Sequence, residues 1–463
     1  MQTLANAIIA QDINAVRGYL RYGGLVNQLD EYGFTPLIEG VIAENVSIVQ
    51  LLLENNANPN QQDTTGGTPL YWAVEKNNIE LTELLLAHHA NPNACNFAGQ
   101  PVLSIPTLRR QRNMRKILVD AGADEVFAQD YIHTKLLGHL FELVGFASII
   151  DPQNKYVDVD FEGFFLEVTL GLVADALMQF QNHFAARQFR RYENIANFIV
   201  NVLQRGLMLI QYQKYYATID QYAAEIDPLV SQSPVLIPVG YEGHAITFIS
   251  YEDIWIKCDR REDSRLYDNV MFYRVKNRKA LTRAFFKHLI YVKQSSEFIN
   301  HELDQLLDLE PLTELKVEAQ ISGNCSWANV EAVIPALFYL VFRHSSEASA
   351  EDSSYKSLAL NYFHRWREWN KERALQYCIR RFQESDPLRK ACQAEILAAI
   401  LFQRLKPENR SDQDDIELIL SLLIGSPYEY ILRNYVKVFY FEKQREDGKA
   451  FFNLLKNHGV RFN

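Results

Sequence analysis

The chain has 463 residues, of which 48% are hydrophobic and 22% charged, enough apolar content to build buried cores in several domains. Its 57 acidic against 47 basic side chains give a net charge of −10, which weighs against a general nucleic-acid binder. Five cysteines are too few for a disulfide framework and point to a reducing compartment. At the start of the chain, residues 1–7 (MQTLANA) lack the charged-then-apolar pattern of a secretory signal peptide, so none is expected.

A repeat comes next. Residues 30–37 (DEYGFTPL) return as 63–70 (DTTGGTPL) and, weathered, as 96–103 (NFAGQPVL). Each copy precedes an apolar helical stretch at 48–53, 81–86 and 114–119, and a small-residue turn at 57–60, 90–93 and 122–124. Gly33, Gly66 and Gly99 recur at one phase, where a tight turn needs a positive φ. Thr35-Pro36 and Thr68-Pro69 have the order of a helix cap followed by the first helical position. These features resemble the ankyrin repeat, with Ile38 and Tyr71 where the family carries histidine. The resemblance implies about four repeats over 1–125, the first lacking its opening turn as a terminal repeat does. It also implies protein binding through hairpin tips and inner helices, with Tyr32, Phe34, Thr64, Thr65, Tyr71, Trp72 and Phe97 as candidate contacts. Inter-repeat packing is the competing role for each aromatic, and Asn60 and Asn93 read as turn residues. Residues 109–116 hold five basic groups in eight positions, a solvated helix face or, less favoured by the net charge, a nucleic-acid patch.

From residue 126 the period vanishes. Residues 126–230 read as helices, for example 134–146 and 194–212. Short β-rich runs follow at 235–239, 244–250, 254–258 and 269–275, separated by turn residues at 240–243, 252–253 and 260–264. That spacing predicts an antiparallel meander with one buried face. Helix is expected again over 298–309 and from Cys325 through Phe342, kinked at Pro335. The longest apolar run, 332–342, falls short of the roughly 20 residues needed to cross a bilayer, so no membrane span is expected. Residues 345–354 read as a loop or hinge, and the remainder as helices broken at 406–415.

One cysteine has a context unlike the others. In 320–327 (QISGNCSW), Cys325 follows a loop and starts a helix, where free N–H groups favour a thiolate. A nucleophilic cysteine also needs a base, an orienting group and an oxyanion donor. His244 begins a strand between small Gly243 and Ala245, and Asp259 lies fifteen residues on, near the end of the next strand. Gln320 can aim its amide at the point faced by the Cys325 N–H. Cys258 reads as a sheet-core residue, and Cys95, Cys378 and Cys392 have no histidine-bearing context of this kind. No Cys-x-x-Cys pair, zinc helix or Gly-rich phosphate loop occurs, so neither a metal nor a cofactor is expected.

A glutamine shortly before the cysteine, an aromatic near the helix start and Gly-His-Ala on a strand resemble the papain-like cysteine proteases over 235–343. The order His244, Asp259, Gln320, Cys325 is that of the permuted branch containing SUMO-specific and adenoviral proteases. The resemblance implies that His244 deprotonates Cys325, that Asp259 orients the imidazole, and that Gln320 and the Cys325 amide bind an oxyanion. Near the end of the chain, charged 441–447 followed by apolar 451–455 fits an amphipathic helix. It also resembles the translocation signal of type IV effectors from Legionella-type bacteria, as does the union of ankyrin repeats with a papain-like body.

The expected architecture is α+β and multidomain. Ankyrin repeats occupy 1–125, a papain-like cysteine protease-like domain with a helical N-terminal part 126–345, and a helical C-terminal region 346–463. The effector resemblance implies delivery into a eukaryotic host cell, in the cytosol or nucleus, and host-protein partners bound through the repeats. Three function classes stand open: a thiol-dependent peptide or isopeptide hydrolase, a catalytically inactive adaptor that modulates a host complex, and a nucleic-acid-associated protein.

Overall fold

The computed structural model describes residues 4–241, 243–260, 270–320, 323–345, 352–410 and 412–462. The expected turn residues 261–264, strand residue Asn269 and loop residues 346–351 lie outside them. The fold is α+β. Two compact units are assembled from interleaved segments: Met1–Leu136, Gly145–Asp160 and Cys378–Asn463 form one, Leu137–Val144 and Phe161–Tyr377 the other.

In the first unit, helix pairs Leu4–Ile9/Ile13–Arg21, Pro36–Ile42/Val46–Glu54, Pro69–Glu75/Ile79–Ala87 and Ser104–Leu108/Arg112–Asp120 form the ankyrin repeats. Thr35 and Thr68 cap their helices through Oγ1, accepting from Ile38 N and Tyr71 N at 3.1 and 3.2 Å. Gly66 has φ +83°, and a Cβ there would meet the Phe97 nitrogen at 2.5 Å, so both the turn and the neighbouring hairpin require glycine. An asparagine ladder joins successive turns. Asn27, Asn60 and Asn93 each accept through Oδ1 from the next repeat, at Asn58, Asn91 and Asp124, all at 2.7 Å. Each also donates through Nδ2 to a carbonyl of that next repeat. A continuous core of Leu37, Val41, Leu52, Leu70, Val74, Leu85, Leu103 and Leu118 runs beneath.

Also in this unit, strands β1 (Phe146–Ile150) and β2 (Tyr156–Asp160) make a hairpin in a region expected to be wholly helical. The helix expected at 134–146 is instead Glu125–Leu140, ending before β1. The hairpin packs beside the C-terminal helix Pro387–Gln403, and Asp130 pairs with Arg381 at 2.6 Å and Arg389 at 3.2 Å.

The second unit is built on a five-stranded antiparallel sheet in the order β3 (Val235–Tyr241), β4 (His244–Tyr251), β5 (Ile254–Cys258), β6 (Val270–Val275), β7 (Leu309–Leu315). The meander is as expected, but its burial is not. Six consecutive residues of β4 are buried, because helices cover both faces. Ile237, Ile246, Phe248 and Trp255 pack with helices Ala223–Ser231 and Arg283–Tyr291. On the other side, Phe272 meets Tyr339 of helix Val333–Ser345 with ring centroids 5.1 Å apart. The helix expected over 298–309 is shorter. Asp308, at φ 49°, stops it, and Leu309 enters β7.

The helical run after Cys325 is divided at Ala332 into Cys325–Glu331 and Val333–Ser345. Pro335 thus sits in the first turn of the second segment, where its missing N–H costs little, and the break falls upstream of the kink expected at the proline itself. By length and composition the 20-residue stretch Cys325–His344 could cross a membrane, but 83% of its most apolar window is buried inside the protein. It serves as a core helix.

Against this helix lies a buried ionic cluster. Arg260 Nη2 reaches Glu142 Oε1 at 3.2 Å and its Nη1 reaches Glu331 Oε2 at 3.8 Å. Arg367 contacts the same two carboxylates at 2.9 and 3.4 Å. The Trp327 indole N–H donates to the second oxygen of Glu331 at 2.7 Å, and Arg260 Nε to the Glu318 carbonyl at 2.7 Å. Two cations and two anions balance. Removing one leaves an uncompensated buried charge, which typically costs about 3–5 kcal/mol. Arg260→Met is therefore expected to lower unfolding stability by about that amount in urea, followed by tryptophan fluorescence. A loss under about 1 kcal/mol would show that the cluster can be opened without penalty.

Candidate active site

Cys325 is the first residue of its helix, and that helix packs on β4. The turn joining β3 and β4 pairs Tyr241 with His244, so the imidazole stands at the very start of β4. Asp259 follows β5, one residue past the last β4–β5 pair, Thr247 with Cys258. These placements bring three side chains together. His244 Nε2 lies 3.0 Å from Asp259 Oδ1, and the Cys325 thiol is near enough to the imidazole for each to shift the titration of the other. The Ala245 N–H donates to Cys325 Sγ at 3.3 Å.

The electrostatics follow from these contacts. Burial alone would pull the His244 pKa down, but the bonds to Asp259 and Cys325 outweigh it and raise it to about 9. Burial pushes the Cys325 thiol up, yet His244 and the Ala245 and Ser326 N–H groups bring it below its ordinary value. Both shifts favour the charged forms, thiolate for Cys325 and imidazolium for His244. The remaining cysteines are unlike Cys325. Burial raises the thiol pKa of Cys95 and Cys258, and pushes those of Cys378 and Cys392 up to about 12.

Gln320 joins the same site through the backbone. Its N–H donates to the Arg260 carbonyl at 2.8 Å, directly beside Asp259. The side chain is buried, and its Oε1 has no hydrogen-bond partner among the described residues. Ile321 and Ser322 lie outside those residues. Gly323 has φ +85°, and a Cβ there would meet Glu162 Cγ at 2.6 Å. The Gly323 carbonyl accepts from Gly163 N at 3.1 Å, and Ser326 Oγ from Phe164 N at 3.2 Å. Segment 162–164 thus braces the loop that presents the cysteine.

Other contributors are not visible in the sequence. Asn324 does not cap the helix but turns inward, its Oδ1 2.5 Å from His139 Nδ1. His139 in turn stacks on Trp327 at an interplanar angle of 8°. The one available signal was a histidine within the apolar stretch 136–144. Among the described residues, no group of three or more His, Cys, Asp and Glu side chains is placed to hold a metal ion.

The candidate binding residues of the ankyrin repeats fall into two sets. Tyr32, Thr64, Thr65 and Phe97 are exposed at hairpin tips, which are linked by Thr64 N to the Gly33 carbonyl and Phe97 N to the Thr65 carbonyl. Phe34, Tyr71 and Trp72 are half-buried, with Phe34 edge-on to Trp72 at 5.7 Å and Tyr71 at 5.9 Å. Trp72 is further tied by its indole N–H to Asp63 Oδ2 at 2.7 Å. Of the basic segment, Arg109 pairs with Glu75 at 2.7 Å and Arg115 with Glu125 at 2.8 Å, so part of its charge is neutralised.

Residues 44–129 match the family described as ankyrin repeats in three copies. No curated protein matches the chain. Among solved structures, that of AnkH, an effector from Legionella, is 36% identical with a TM-score of 0.82. The match covers 100% of this chain and 98% of AnkH.

The paired titration has a direct readout. Because Cys325 is lowered, its thiolate forms below the ordinary thiol value of 9.0, and because His244 is raised, the imidazolium persists until pH passes about 9. The ion pair and its stabilising effect occupy the window between, lost on the acid side as Cys325 protonates and on the alkaline side as His244 deprotonates. Iodoacetamide alkylation of Cys325, followed by mass spectrometry, is expected to rise with a midpoint below 9.0, and to shift upward in His244→Ala. Superposable profiles would mean that the imidazole does not govern the thiol.

Proposed function

The chain belongs to the family of the Legionella effector AnkH, and we propose that it acts in a eukaryotic host cell as a thiol-dependent hydrolase of peptide or isopeptide bonds. The observation that supports this reading is the convergence of three side chains: Asp259 bonded to His244 at 3.0 Å, and the Cys325 sulfur bonded at 3.3 Å to the N–H of Ala245, the residue after His244. The ankyrin repeats select the substrate or its complex, presenting Tyr32, Thr64, Thr65 and Phe97 outward. Family membership supports translocation into the host, and the charged-then-apolar terminal helix is the proposed export signal for type IV secretion.

In this reading the Cys325 thiolate attacks the carbonyl carbon, and the carbonyl electron pair moves onto oxygen. The Gln320 amide and the Cys325 N–H stabilise that oxyanion. Collapse of the tetrahedral intermediate expels the amine, which takes its proton from the His244 imidazolium, and leaves an acyl thioester on Cys325. Neutral His244 then removes a proton from water, and hydroxide attack on the thioester carbonyl releases the carboxylic acid and expels the Cys325 thiolate, restoring it beside the His244 imidazolium. Asp259 holds the imidazole with Nδ1 toward sulfur throughout.

A peptide carrying a C-terminal electrophile tests the reading. Mass addition confined to Cys325 is expected in the wild type and should fall at least about 10²-fold in His244→Ala. Absence of labelling at any pH, with the protein folded, would leave the adaptor role. That role has its own signature. Tyr32→Ala with Phe97→Ala should weaken host-partner binding by about 1–2 kcal/mol while leaving Cys325 labelling unchanged. If Cys325→Ala abolishes no cellular effect and the hairpin-tip changes abolish all of them, hydrolysis is not the function.

A further inference from the structure

Each residue proposed for the chemistry sits on a different segment, and one buried side chain on the helix of Cys325 bonds to the segments of His244 and Asp259. Asn329 lies one helical turn beyond Cys325, on the same helix face, and is 1% exposed. Its Nδ2 donates to the Ala245 carbonyl at 2.6 Å, and its Oδ1 accepts from the Arg260 N–H at 2.7 Å. Ala245 directly follows His244 and Arg260 directly follows Asp259. The Arg260 carbonyl is also the acceptor of the Gln320 N–H.

The geometry has a cause in the sheet. Pairing between β4 and β5 ends at Thr247 with Cys258, so Ala245 lies beyond the reach of its neighbouring strand. Its N–H and C=O are taken instead by the Cys325 sulfur and the Asn329 amide. Two groups one turn apart on a single helix thus complete the sheet where β5 leaves it. A buried carbonyl or N–H left without such a partner is destabilising, so the segments gain by keeping this register.

We propose that Asn329 is the positioning residue of this site, clamping the strand of His244 and the segment of Asp259, from whose Arg260 carbonyl the Gln320 N–H hangs, to the helix of Cys325. The inference rests on the hydrolase reading for its purpose but on separate contacts for its content. An apolar side chain of similar volume fills the space yet supplies neither the donor nor the acceptor. The imidazole then loses its fixed distance from the thiol.

The test is the pH profile of Cys325 alkylation in Asn329→Leu and Asn329→Ala, with far-UV circular dichroism and Cys95 labelling as controls for folding. The expected result is a native spectrum, unchanged Cys95 labelling, and a Cys325 midpoint moved upward toward that of His244→Ala, with at least about a tenfold slower reaction at pH 6.5. A midpoint equal to the wild type in a folded variant overturns the proposal. So does failure of both variants to fold, which would make Asn329 a determinant of folding rather than of site geometry. The hydrolase reading fails separately, if the wild-type profile is that of an ordinary thiol.

Discussion

Two arginines and two glutamates, buried together, fix where the helix of Cys325 can lie. Glu331 closes that helix and Arg260 follows Asp259, so the Arg260–Glu331 contact joins the helix of Cys325 to the segment of Asp259. Glu142 and Arg367 complete the cluster from other parts of the chain. Charges in a low-dielectric interior tolerate little displacement, because any shift that separates one leaves the others without compensation. The Asp259–His244 contact inherits this rigidity, and so does Gln320, whose N–H hangs from the carbonyl of the same arginine.

The ankyrin array is held by another kind of constraint. Its bonds repeat at nearly one sequence distance, about a repeat length, and each is individually modest. Caps act within three residues, from Thr35 to Ile38 and from Thr68 to Tyr71. Information of this kind is local and periodic, which is why the glycine phase and the Thr-Pro starts suffice to read the solenoid from sequence. The grouping of Cys325, His244 and Asp259 as a candidate site is legible for a related reason. Few residue types can serve as thiol, base, orienting acid and amide, and their small neighbours mark them out.

What supports those residues was not legible. Asn324 meets a histidine 185 positions away, and Asn329 an arginine 69 positions away, and neither spacing leaves a pattern in the chain. An asparagine near a helix start reads as a cap until the structure shows it turned inward. Strand β7 escaped notice because its only buried residue is Leu315, so no alternation appears, and Pro311 is tolerated there on an edge strand. The central strands gave the opposite difficulty. Helices on both sides turn β4 into an almost unbroken apolar run, and an expectation of one solvated face does not fit such a run.

The interleaving of the two units has a consequence for how the chain is made. Asp130 belongs to the segment that emerges first, while Arg381 and Arg389 are added 251 and 259 residues later. During synthesis the ankyrin repeats can stack as they appear, each on the last. The carboxylate of Asp130 must stay hydrated until the C-terminal helices arrive, since a charge without its counter-ions is not readily buried. Residues 161–377, which supply most of the other unit, are complete before the first unit can close. The nascent chain therefore assembles its interior segment ahead of the unit that flanks it, and the helices of Cys378–Asn463 finish the part that was started earlier.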